Sequence, residues 1–249
     1  MEPYTRNGGI IGKTMDFAST ESYAGTSTIT HVGSTTLSGS GNLALPSGLQ
    51  QGDIVFVVMG DDNNNGGSAP SGWTTYIAEN FTNSVYNSVW YKVMGATPDS
   101  TVTVPAVSAW VATAFRGVDT SNIFNTTFQT QTTFTNTTTP NFAPITTTTD
   151  GCMIFLYGGI DDKIGLIFTG NDGFTIGGYE DNDGGCATAF KLQSTAGTVS
   201  PATGAISTNT SDVWVTHTMA LNPATVSNGS DNKKNSGIWD LQAVYEAYA

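Results

Sequence analysis

The sequence predicts an all-β protein: an antiparallel, jelly-roll-like β-sandwich built from two similar halves, with an extended N-terminal arm and a short C-terminal helix. Three observations predict it. Apolar runs of five to nine residues, rich in Val, Ile, Phe and Tyr, alternate with clusters of Gly, Pro, Asn and Asp. Branched and aromatic side chains suit a pleated surface, and the punctuating residues suit turns. Second, a phrase recurs about 100 residues on. GDIVFVVMGDD (52–62) is answered by DGCMIFLYGGIDD (150–162), PSGWTTYIAEN (70–80) by NDGFTIGGYED (171–181), and VWYKV (89–93) by TAFKL (188–192). SAWVATAF (108–115) is answered by SDVWVTHTM (211–219), so Asp62, Trp73, Lys92 and Trp110 match Asp162, Phe174, Lys191 and Trp214 in order. A repeat of this kind marks a doubled architectural unit, here two four-strand halves sharing one core. Third, a helical phrase occurs once, at the C-terminal end.

In chain order, residues 1–23 hold Asn7-Gly8-Gly9 and Gly12, which suit neither helix nor strand, and predict an extended arm. The β-region, 24–223, opens with TSTITHV (26–32) and NLALP (42–46). Ile54–Met59 is almost wholly apolar and predicts a central strand covered on both faces. DDNNNGGSAPSG (61–72) is a polar, Gly-rich surface loop. Alternation puts Trp110, Ala112 and Ala114 on one face, against Val111, Thr113 and Phe115. In the second half Val213, Val215, His217, Met219 and Leu221 oppose Trp214, Thr216, Thr218 and Ala220. The halves span about 26–120 and 150–222, and the Thr-rich stretch between them reads as edge strands plus a crossing connection. Residues 224–249 are a polar linker ending in IWDLQAVYEAYA (238–249). There Ile238, Leu241, Tyr245 and Tyr248 recur every three to four residues, with Val244 beside the stripe and Trp239 to one side. Ser236 is a fitting N-cap, and Asp240 suits the first turn.

Composition narrows the function classes. Charged residues make up 11%, against roughly 25% in an average domain, so the surface is polar but little charged. A net charge of −12 repels phosphate backbones and argues against nucleic-acid binding. No apolar run approaches the roughly 20 residues of a spanning helix, so membrane insertion is not expected. The N-terminus carries no signal-peptide pattern, which predicts synthesis in the cytoplasm without export by that route. Cys152 and Cys186 read as a reduced buried pair, a disulfide being the alternative.

Three chemistries compete with plain structural readings. Asp61-Asp62, Asp161-Asp162 and Glu180-Asp181 are carboxylate pairs, but in Gly- and Asn-rich turns such pairs are ordinarily solvated turn formers. Asp61, Asn63 and Asn65 open a loop rich in oxygen ligands, a weak calcium candidate whose twelfth position is Gly72 and not the glutamate of an EF-hand. The two histidines, His31 and His217, have no identifiable nucleophile, and His217 falls on an apolar stripe. The expectation is a non-enzyme with no cofactor and no catalytic metal.

The phrases GDIVFVVMG, PSGWT, WYKVMGATPDSTVTV and FRGVD resemble a β-sandwich module of virion proteins of tailed bacteriophages, especially those of marine and cyanobacterial hosts. The flanks YTRNGGIIGKTMDF (4–17) and NSGIWDLQAVYEA (235–247) resemble the ends of phage appendage and structural proteins. The resemblance implies a virion component made in the host cytoplasm: a capsid decoration protein, head fibre or tail appendage subunit. It transfers no catalytic or metal-binding position. Expected partners are copies of the chain itself, a trimer favoured, and other virion proteins. The expected assembly contacts are Tyr4, Ile10, Ile11, Ile238, Trp239, Leu241, Val244, Tyr245 and Tyr248. The alternative is a carbohydrate-binding adhesin or receptor-binding module for a host surface glycan, with Trp73, Tyr76 and Tyr179 as candidate sugar contacts and core packing as their plainer reading.

Overall fold

The computed structural model describes residues 24–61, 68–81, 85–161, 165, 167–182 and 184–227. The expected arm (1–23) and helix (238–249), with all nine expected assembly contacts, lie outside them, as do Asn63 and Asn65. The chain divides into two compact units, residues 26–225 and the two termini, 1–25 with 226–249. Among the described residues every regular element is a strand. In order these are β1 (Ala24–Thr26), β2 (Thr30–Ala44), β3 (Ile54–Asp61), β4 (Thr74–Phe81), β5 (Val85–Val93), β6 (Thr101–Arg116), β7 (Gln129–Thr137) and β8 (Ile145–Thr147). They continue with β9 (Cys152–Ile160), β10 (Phe168–Gly170), β11 (Thr175–Asp181), β12 (Gly185–Gln193), β13 (Gly197–Val199), β14 (Ile206–Thr208), β15 (Asp212–Leu221) and β16 (Thr225–Ser227). β1 and β16 pair with each other.

Two five-stranded antiparallel sheets dominate, in the orders β2-β6-β3-β5-β4 and β7-β15-β9-β12-β11. Numbered within its own half, each sheet reads 1-5-2-4-3. The duplication legible in the sequence is therefore a duplication of one sheet topology, with five strands per sheet where four were expected. The missing strand of the second half is β7, which lies in the Thr-rich stretch, so that half begins at residue 129 and not near 150. As an edge strand, β7 matches the reading of that stretch.

Register makes the correspondence specific. Val55 pairs with Lys92 on β5, and Ile154 pairs with Lys191 on β12, so the two lysines are equivalent. Each lies against the turn that precedes its half's third strand. A Cβ at Gly72 would stand 3.5 Å from Lys92 Nζ, and one at Gly173 3.4 Å from Lys191 Nζ. Those turns close in the same way, Trp73 N–H donating to Pro70 O (3.0 Å) and Phe174 N–H to Asn171 O (2.9 Å). A β-bulge follows in both, between Thr75 and Ile77 and between Ile176 and Gly178. Trp110 and Trp214 sit on equivalent strands but slip by two residues, since Trp110 pairs with Met59 and Trp214 with Ile160.

The sheets pack face to face, β3 on β9, β6 on β12, β5 on β15 and β2 on β11. Exchanging the halves turns β6-on-β12 into β15-on-β5, so the arrangement has an internal two-fold character. Near its centre Phe56 and Phe155, equivalent residues of the central strands, have ring centroids 5.1 Å apart. The shared core adds Ile54, Val58, Val111 and Phe115 from one sheet and Met153, Tyr157, Met219 and Leu221 from the other.

Each sheet is also covered on its outer face, which is why β3 and β9 are buried throughout. Over the first sheet, Leu43, Val102 and Val104 from the far parts of β2 and β6 pack on Val55, Val57, Met59, Trp90 and Trp110. Over the second, Phe142, Ile145, Phe168, Val199 and Ile206 pack on Ile154, Leu156, Ala189 and Trp214. The alternation read for 110–115 and 213–221 divides the side chains between inner and outer cores as expected. No helix long and apolar enough to cross a membrane occurs among the described residues.

Candidate functional site

One surface feature lies where β6 ends. A cleft of about 420 Å³ is bounded by the Gln50–Asp53 turn, the segment Arg116–Ser121, and Ala224 with Thr225. The turn is forced locally: Gly52 has φ 86°, and Gln50 N–H donates to Asp53 Oδ2 (2.7 Å). Asp53 is 1% exposed. Its charge is met by Arg116, whose Nε donates to Oδ1 (2.8 Å) and whose Nη2 donates to Oδ2 (2.7 Å). Nη2 also donates to Gly48 O (2.9 Å). This two-pronged geometry is the strong form of the pair, and the hydrogen bond to Asp53 raises the Arg116 pKa. Asp119 caps the next turn, Oδ1 accepting from the N–H groups of Ser121 (2.8 Å) and Asn122 (3.2 Å).

The chain enters and leaves the body beside this cleft. Ser27 N–H donates to Ala224 O (2.7 Å), and Ala224 N–H donates to Gly117 O (2.8 Å). Gly117, at φ 84°, leaves no room for a side chain, because a Cβ there would stand 2.7 Å from Thr28 O. Asp53, Arg116 and Asp119 were not among the residues expected to form a site. The available signal was a charge pair flanking two apolar strands, Asp53 opening one and Arg116 closing another, in a chain with only eight basic residues.

A second polar group is buried between the sheets. His217 is 0% exposed and its ring stacks on Tyr157 at 5.4 Å. Asn87 Nδ2 reaches His217 Nε2 (3.1 Å), and Nδ1 lies 3.1 Å from Thr130 Oγ1. With Nε2 accepting, Nδ1 carries the proton and donates to the hydroxyl. Burial lowers the His217 pKa to about 3, and raises that of Tyr157, whose hydroxyl donates to Met59 O. This is a neutral structural histidine, consistent with its place on an apolar stripe.

The aromatic residues proposed for sugar stacking are not brought together. Tyr76 lies flat against Phe124, centroids 3.7 Å apart and planes 2° apart, with Phe128 at 5.2 Å. One face of its ring is therefore covered. Trp73 packs on the outer core of the first sheet, whereas Tyr179, 40% exposed, packs on Phe168 of the second sheet's outer core. Asp61 is fully buried at the end of β3. Among the described residues, no three His, Cys, Asp or Glu side chains group to hold a metal ion.

The cysteines cannot bond to each other. Cys186 pairs with Gly159, seven positions (159 − 152) along β9 from Cys152, or about 23 Å at 3.3 Å per residue. That is several times the span of a disulfide. Burial raises both thiol pKa values, that of Cys152 to about 11. No family model, curated protein or solved structure matches the chain.

Proposed function

We propose that the chain is a non-enzymatic structural subunit of a tailed-bacteriophage virion, a capsid decoration, head-fibre or tail-appendage protein that works by protein–protein assembly. Its partners are copies of itself, a trimer favoured, and neighbouring virion proteins. The resemblance of its phrases to virion modules supports this reading, and one structural observation carries it further. The strands at the two ends of the described chain, β1 and β16, pair with each other, and Ser27 beside them is hydrogen-bonded to Ala224. The described chain thus begins and ends side by side, as suits attachment through the terminal segments of a body covered on both sheet faces. The buried titratable groups are engaged in structural contacts, which favours a scaffold over a catalyst.

In its finer description the body is a two-sheet sandwich. Each half keeps to one sheet, which favours assembly by duplication over the interleaved path of a jelly roll. The test of function is direct labelling. Electron micrographs of the phage particles with antibody against this chain should show regular decoration at one particle position. Particles that carry no label while the protein is abundant in the infected cell would rule the reading out.

A further inference from the structure

We propose that the cleft at the end of β6 binds a small, neutral, hydroxyl-rich ligand, of the class of a monosaccharide unit, through Arg116 and Asp119. This goes beyond the assembly reading and does not depend on it. Its first support is that the fold does not demand the charges. In the second half the positions equivalent to Asp53 and Arg116 are Cys152 and Asn222, placed by the pairings Ile54–Phe115 and Met153–Leu221 just inside them. Cys152 and Asn222 are buried there, Cys152 Sγ donating to Thr149 O (3.1 Å) and Asn222 joining Asn125 (2.7 Å) and Asn122 O (2.9 Å). The same sheet topology therefore closes with neutral groups at the equivalent place, where the first half carries the Asp53–Arg116 pair.

The second support is the set of groups left over. Arg116 uses Nε and Nη2 on Asp53 and Gly48, which holds the guanidinium rigid and, among the described residues, leaves Nη1 without a hydrogen-bond partner. Asp119 uses Oδ1 on its own turn and, among the described residues, leaves Oδ2 without one. Arg116 and Asp119 both line the cleft, and a donor beside an acceptor suits hydroxyl groups, each of which both gives and takes a hydrogen bond. Thr120, Ser121 and Thr225 add hydroxyls along the wall. The volume lies within the roughly 300–1,000 Å³ range of small-molecule sites. Asp53 cancels Arg116, so Asp119 leaves the cleft at one net negative charge, on a chain of net −12, which disfavours an anion. Among the described residues no aromatic ring lines the wall, which disfavours a nucleobase.

The experiment is an NMR titration of the full chain, following backbone amides, with glucose, galactose, mannose and N-acetylglucosamine in separate arms and sodium sulfate in a fifth. At least one sugar should give saturable shifts centred on 116–121, with a Kd on the order of 1 mM for so open a site, and sulfate none. Asp119→Asn keeps an oxygen for the turn and should weaken binding by about tenfold, as loss of one charge-assisted hydrogen bond predicts. Thr120→Val, at an exposed position, should weaken it less while leaving the spectrum elsewhere unchanged. No saturable shift with any sugar, equal shifts with sulfate, or unaltered affinity in Asp119→Asn would each overturn the proposal. Sugar shifts centred on Trp73, Tyr76 or Tyr179 would also overturn it, while supporting a glycan-binding role at another place.

Discussion

Gly60 and Gly159 hold the same position in the central strands of the two halves, and each is crossed by the opposite half's fourth strand. Asn87 lies over Gly159, and the Gly185-Cys186 segment lies over Gly60. The polar bonds follow suit: Asn87 Nδ2 donates to Val215 O (3.3 Å), and Cys186 Sγ donates to Ala109 O (3.4 Å). Asn87 and Cys186 pair with Gly60 and Gly159, as do Ala109 and Val215. The two crossings are thus images of one another, and close sheet approach depends on glycine at both.

The two glycines differ in what a methyl would strike. At Gly159 it overlaps the Asn87 side chain, whereas at Gly60 it overlaps the Gly185 carbonyl. Each Gly→Ala change should cost about 1–3 kcal/mol, as overpacking does, with Gly60→Ala the worse. Adding Asn87→Ala should rescue much of Gly159→Ala, while Cys186→Ala should leave Gly60→Ala unrescued. Denaturant midpoints of the singles and doubles test this, and equal rescue at both sites would contradict the crossing described here.

Phe56→Ala and Phe155→Ala should each destabilise by about 3–5 kcal/mol. Because the rings touch, the double variant should cost less than the sum of the two. Strict additivity in urea unfolding would show that the pair is not one packing unit.

Much of this was legible in the sequence, and the limits have physical causes. Apolar runs and alternation marked β3, β9, β6 and β15, since burial on one or both faces writes directly into residue type. The lysine correspondence was exact because Lys92 and Lys191 hold equivalent strand positions, each against the turn before its half's third strand. The fifth strand of the second half was obscured because β7 is an edge strand of Thr and Gln, with no apolar run to announce it. Asp53 and Arg116 stayed hidden because their bond joins residues 63 positions apart (116 − 53). Tyr76 reads like a sugar-stacking residue from sequence alone, because only the fold supplies Phe124 to cover it.

Acid should weaken the fold through His217. Its folded pKa is about 3, against 6.5 when exposed. As pH falls below about 6.5 the unfolded chain takes up the proton first, so stability is lost progressively toward pH 3, on the order of several kcal/mol in all. His31, also lowered by burial, adds in the same direction. His217→Gln removes the His217 share, so its stability gap from the parent should narrow between pH 7 and pH 4. Parallel pH profiles in urea unfolding would contradict a neutral buried histidine.

Arg116→Ala should leave the buried Asp53 carboxylate without its paired charge and should lower the denaturant midpoint. Combining Arg116→Met with Asp53→Asn should recover most of that loss. If the single and double variants melt together, the pair contributes little and the cleft wall is not rigid.

Both thiols should resist labelling in the folded protein. Iodoacetamide under native conditions at neutral pH should add nothing, and two groups should add after denaturation without reductant. A mass consistent with an intramolecular disulfide would contradict the strand register of β9 and β12.

The central claim is assembly through the terminal segments. The large apolar side chains of 238–249 would forfeit several kcal/mol if left in water, at roughly 1.5–3 kcal/mol each, and the helix expected there from the sequence, about twelve residues long, would need packing to persist. Sedimentation velocity of the full chain beside a version lacking 236–249 tests it most directly. The account predicts a discrete oligomer, a trimer favoured, for the full chain, and a folded monomer for the truncated one. A full chain that sediments as a monomer, or a truncated chain that unfolds, would contradict it.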